Sequence, residues 1–189
     1  MTPKEIGRRL DELRAAGRAL RRRPAAETLR ALENLLDTWR DPRAACRQEL
    51  EARLPEATGF TAATVREGLA RGLDAWDGKA LRDLVQRELG PPDRLDTAMR
   101  GGTLASGFGA TAVLLAGSIP MPTLVALIAP LALRSPVLAK SASRDPVTAP
   151  LIARTIRDVD PELESLRDCN TPEAYRDALR AAGLGKGIV

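Results

Sequence analysis

Two polar side chains, Ser118 and Lys140, sit where apolar runs of the chain end. Ser118 follows Ala110 to Ala116 and the Gly117 that closes this run, and Lys140 follows Pro136 to Ala139. A hydroxyl and an ammonium at such places are the polar side chains expected to face a bound ligand. The chain has no histidine, which removes the commonest general base and His-based triads.

The segments around them must do the positioning. Ala110 to Ala116 is small and aliphatic, as expected of a strand buried on both faces. Pro122 and Thr123 open an apolar helix through Leu133, tightened at its entry by Pro120 and kinked or shortened by Pro130. Pro136 to Ala139 reads as a second strand. A parallel strand-helix-strand unit places its ligand crevice at the carboxyl ends of the strands. Ser118 and Lys140 are therefore expected at the mouth of a cleft.

No charged residue occurs from Gly101 to Leu133. A membrane span needs about 18 to 20 continuous apolar residues. Pro120, Pro122, Pro130, Gly107 and Gly117 interrupt any such helix, so a crossover and not a membrane span is expected. Gly107 and Gly109 begin a GxG pattern that lacks its third glycine and precedes the strand, so it fails as a dinucleotide fingerprint. Beyond Lys140, Asp145 and Pro146 predict a helix start running to about Arg157. Asp160 with Pro161, and Thr171 with Pro172, predict two more, the last ended near Gly183.

The first ninety residues read as a helical layer. Thr2, Pro3 and Glu5 open a helix to about Arg22, and Pro24 ends it. A second helix carries Leu29, Leu32, Leu36 and Trp39 on one face. Asp41 with Pro42 predicts the start of a third, lined by Cys46, Leu50 and Leu54. Thr58 to Thr61 form a turn capping a fourth, and a fifth spans about Lys79 to Leu89 before Gly90, Pro91 and Pro92. The expected organisation is a helical region over 1–95 and a partial nucleotide-binding domain over 96–189.

Composition narrows the function classes. The chain has 189 residues and a net charge of +4. Residues 1–23 hold eight basic and three acidic side chains, and elsewhere the charges nearly cancel. With few aromatics, stacking on nucleic acid is not expected. Two distant cysteines, Cys46 and Cys169, make neither a disulfide framework nor a metal site. No signal-peptide pattern is read, so the default location is cytoplasmic.

Several short blocks fall in a telling order: Trp39 to Pro42 (WRDP), Thr58 and Gly59, Trp76, then AGSIP and AKSASRDP. From about Arg30 to Leu166 the chain resembles the acyl-CoA reductases of the bacterial bioluminescence fatty-acid reductase type, within the aldehyde dehydrogenase superfamily. The resemblance implies an α/β fold: a helical N-terminal layer followed by an incomplete Rossmann-like strand-helix-strand unit. It implies reduction of an acyl thioester, held on a catalytic cysteine, to an aldehyde by NADPH. Cofactor contacts carry over to Lys140, Ser143, Ser118 and Pro120. Lys140 matches the lysine that meets the adenine-side ribose, and a neutral Ser143 favours NADP over NAD.

Two departures are expected to matter. Ser118 occupies the oxyanion position where the family usually has asparagine. The family's catalytic cysteine lies beyond the second strand and further strands, and Cys169 does not match it. The chain is therefore expected to be an N-terminal portion that does not turn over alone. The alternative is a non-catalytic truncated or interaction protein whose incomplete sheet is finished by another chain or a second copy.

Overall fold

A computed structural model describes residues 3–96, 104–117, 119–161 and 166–168. Five helices come first: α1 (Pro3–Arg22), α2 (Ala25–Arg40), α3 (Ala45–Thr58), α4 (Ala62–Ala75) and α5 (Gly78–Leu89). A 3-10 turn at Pro92–Leu95 leads toward β1 (Thr111–Leu114), α6 (Pro120–Ala132), β2 (Val137–Lys140), α7 (Thr148–Val159) and β3 (Leu166–Asp168). The architecture is mostly helical with a small, open, all-parallel sheet in the order β1-β2-β3.

The helical layer follows local chemistry. Thr61 caps α4 by accepting from the Thr64 amide at 3.1 Å, and Asp77 caps α5 by accepting from the Ala80 amide at 2.8 Å. Gly59 ends α3 in the left-handed region, with φ 79°. Asp41 does not start α3 as expected. Its carboxylate accepts from the Arg43 amide at 2.9 Å and ties up a turn, so α3 begins only at Ala45. Leu32, Leu36 and Trp39 of α2 are buried in one continuous core with Leu50, Leu54, Leu69 and Leu73, and with Leu127, Ile128 and Ile152 of the crossover helices.

The sheet departs from expectation in three ways. Leu166–Asp168 pairs in parallel with β2, although a helix was expected from Asp160 and Pro161 onward. The second edge of β2 is satisfied by that strand, and tertiary pairing outweighs the local cap signal. β2 is buried from Val137 to Ala139, whereas β1 alternates between half-buried and exposed positions, with Leu114 51% exposed. It is an edge strand and not one covered on both faces. Finally, α6 begins at Pro120 instead of Pro122, and α7 begins at Thr148, not Pro146. The helix predicted at Thr171, and Gly183, lie outside the described residues.

One side chain joins the layers. Pro130 sits in the last turn of α6, and the chain leaves it by a Schellman-type reversal. The Ser135 amide donates to the Pro130 carbonyl and the Arg134 amide to that of Leu131. Arg134 holds the left-handed position, with φ 57°, where glycine is usual. Its guanidinium, 4% exposed, donates to the carbonyls of Arg21 and Arg23 at 3.1 and 3.0 Å and to Asp96 at 2.6 Å. Asp96 in turn accepts from the Ala25 amide, the first of α2. A cation thus meets the carboxyl end of α1 and an anion meets the amino end of α2, each complementing the helix dipole.

Removing Asp96 would leave a buried guanidinium without its counter-ion, a defect that costs about 3 kcal/mol. Asp96→Ala is expected to lower the urea unfolding free energy by about that amount, while exposed Asp11→Ala stays within about 0.5 kcal/mol. Equal effects would show that the buried pair does not hold the layers together.

Candidate functional site

The site is built on the carboxyl ends of β1 and β2. Thr111, Ala112, Val113 and Leu114 pair with Val137, Leu138, Ala139 and Lys140 in register. The Leu115 amide donates to the Lys140 carbonyl at 3.0 Å, carrying the pairing one residue past β1. Both strands end level, so the loops that follow them open on the same side.

Lys140 is the last residue of β2 and is half-buried, with its ammonium donating to the Ser141 carbonyl at 3.1 Å. The chain then turns sharply. The Asp145 amide donates to the Ala142 carbonyl at 3.1 Å, closing a β-turn with Ser143 and Arg144 at its corner. Ala142 and Asp145 are buried and the two corner residues are exposed. One oxygen of Asp145 accepts from the amides of Val147 and Thr148 at 3.2 and 2.9 Å. The carboxylate thereby caps the approach to α7, as its N-cap reading anticipated, although the helix itself begins later.

Pro120 is the first residue of α6 and is half-buried beside the exposed Ile119. Ser118 lies outside the described residues, as does Cys169. The structure therefore brings Lys140 and Ser143 to one strand end and sets Pro120 at the start of the helix between the strands. Sequence reasoning passed over Arg144. Its signal was present in the Ala-Ser-Arg-Asp stretch, where Asp as a capping residue forces the two positions before it to the corner of a turn.

The electrostatics favour an anion. At the carboxyl end of β2 the stretch from Lys140 to Thr148 holds the cations Lys140 and Arg144 and one carboxylate, Asp145, whereas Arg134 and Arg154 are paired with Asp96 and Glu49. Asp145 is 3% exposed and faces two helix amides, so its charge is spent inward. An ammonium, a hydroxyl and a guanidinium near one strand end are donors suited to an anionic, oxygen-rich group.

Other chemistry is sparse. Cys46 in α3 is half-buried, and burial pushes its thiol above the ordinary range, more than the hydrogen bond from Thr155 and nearby backbone bring it down. A thiol so placed is a poor nucleophile at neutral pH. A cavity of about 10 Å³ between Trp39, Leu73, Met121 and Ile152 has room for one water but not for an acyl chain. Gly72 of α4 lies so close to Met121 that a Cβ there would come within 2.2 Å of its Cγ. Among the described residues, no group of three His, Cys, Asp or Glu side chains is placed to hold a metal, and no helix is long and apolar enough to cross a membrane.

No curated protein matches the chain in a search of known sequences. A family model described as acyl-CoA reductase (LuxC) matches residues 21–168, which takes in α2 to β3 and the whole Lys140 turn. The chain belongs to the acyl-CoA reductase (LuxC) family.

Proposed function

We propose that this chain supplies the nucleotide-binding unit, Rossmann-like in kind, of an NADPH-dependent acyl-CoA reductase, with residues 1–95 as its helical region and 96–189 as the cofactor-binding part. The carrying observation is Lys140 at the carboxyl end of a buried parallel strand inside the matched region. Lys140 and Ser143 would hold the adenine-side ribose, Pro120 would wall the cleft at the start of α6, and Ser118 would stand at the oxyanion position. The cofactor, when bound, supplies the hydride that takes an acyl thioester to an aldehyde. The chain's own residues orient it and offer cationic groups to its phosphates.

The nucleophile that would carry the acyl group is not Cys46. Its half-burial in α3 favours the protonated thiol, and Cys46 is separated in the chain from the strand ends. In a Cys169→Ser background, Cys46 is expected to react with iodoacetamide more slowly than free cysteine at pH 7.5. The rate should rise only once the pH passes the ordinary thiol range, because the folded state holds the proton more tightly than the unfolded one. Fast labelling at neutral pH would restore Cys46 as a candidate nucleophile.

Calorimetric titration of the intact chain is expected to show NADPH binding that weakens at least tenfold in Lys140→Ala, about the loss of one charge-assisted hydrogen bond. Mixing the chain with NADPH and a long-chain acyl-CoA should leave absorbance at 340 nm unchanged. Absence of any nucleotide binding would sink the reading, and acyl-CoA-dependent NADPH oxidation would sink the claim that the chain does not turn over alone.

A second reading rests on the outer edge of β1, where Leu114 is exposed and the neighbouring Phe108 and Ile119 are 75% and 58% exposed. Among the described residues this edge is uncharged and uncovered, which favours association. In this reading the protein is a non-catalytic module whose sheet another chain or a second copy finishes. Light scattering after size-exclusion chromatography would show a stable dimer that Leu114→Lys dissociates. A monomer at all concentrations speaks against self-association.

A further inference from the structure

We propose that Arg144 is the residue that selects a 2′-phosphorylated adenosine, and hence NADPH over NADH, an inference that rests on the nucleotide-binding reading above. Its place in the fold carries the argument. Arg144 is separated from Lys140 only by Ser141, Ala142 and Ser143, at the corner of a turn directly beyond the carboxyl end of β2. In open parallel sheets an acidic residue in this neighbourhood accepts from the ribose 2′-hydroxyl, whereas an arginine accommodates a 2′-phosphate. Here the acidic option is missing. Asp145, the sole carboxylate of the loop, is buried and engaged with the Val147 and Thr148 amides.

The turn is also fixed in shape. Its closing hydrogen bond joins two buried residues, Ala142 and Asp145, and its far end is tied to the first turn of α7. Ser143 and Arg144 are therefore presented from a braced corner and not from a free loop. Among the described residues Arg144 makes no hydrogen bond or ion pair, in contrast to Arg134, Arg154 and Arg47, each of which has a protein partner. A guanidinium can grip a phosphate with two parallel N–H bonds, and the Ser143 hydroxyl beside it offers a third donor without negative charge.

The test is calorimetric titration of the full chain with four probes: 2′,5′-ADP, 5′-AMP, NADPH and NADH. Arg144→Gln is expected to raise the Kd for 2′,5′-ADP and NADPH roughly tenfold to a hundredfold, the loss of a charge-assisted pair. The Kd values for 5′-AMP and NADH should stay within about twofold, since those ligands have no 2′-phosphate to lose. Arg144→Lys should recover part of the loss, keeping the charge but not the planar fork. Ser143→Glu should move the preference toward NADH. Equal weakening of all four probes, or no change for the 2′-phosphorylated pair, overturns the role of Arg144 while leaving the nucleotide site in place. Failure of the unmodified chain to bind any probe overturns the site and this inference together.

Discussion

The buried guanidinium of Arg134 is the constraint on which the arrangement depends. It emerges from the reversal after α6, at the point where the chain must turn back into β2, and reaches the end of α1, the loop before α2 and Asp96 at once. These partners come from sequence positions 113, 111 and 38 residues away. A left-handed backbone at a residue with a side chain costs about 1 kcal/mol, and glycine would remove that cost. Arginine is tolerated there because its side chain satisfies helix carbonyls that would otherwise be buried without a donor.

That junction also sets where the site lies. With α2 docked, its apolar face packs on α6 and α7, and the two crossover helices cover the sheet on the side of Val137 and Ala139. With the strand order β1-β2-β3, parallel crossovers of the usual right hand put both helices on that face. On the approach to β1, Gly107 lies where a Cβ would stand 2.1 Å from the Leu133 carbonyl oxygen, so the incoming chain presses against the same reversal. The strand ends are therefore level because the reversal that starts β2 is held from both sides.

Much of this was legible in the residues. Pro3 and Pro24 marked the bounds of the first helix, the apolar stripe gave the buried face of the second, and Thr61 marked its helix start because a cap is a local interaction. The burial of β2 and the half-exposure of β1 were not legible. Two similar aliphatic runs differ only in how many neighbours they acquire, and that is decided by topology. Asp41 misled for a related reason, and Asp145, although it caps the approach to α7, stands two residues further from the helix start than expected. An aspartate before proline stabilises a turn as readily as a helix start, and the rest of the loop chooses between them. At the site, the place of Lys140 at the carboxyl end of a strand was readable from position, whereas the corner geometry that exposes Ser143 and Arg144 needed the Ala142–Asp145 hydrogen bond to be seen.

The small cavity in the helical layer has a practical meaning. Trp39, 1% exposed, shares that cavity with Pro120 and Met121, the first two residues of the helix that rises from the end of β1. An indole sealed among aliphatic groups emits at short wavelength, and its yield responds to sub-ångström changes in the packing around it. Pro120 and Met121 line the gap beside the ring, so the first turn of α6 is part of its packing environment. The ring of Trp39 and the start of α6 thus meet across a gap the size of one water molecule, so a larger side chain at either place must displace the other.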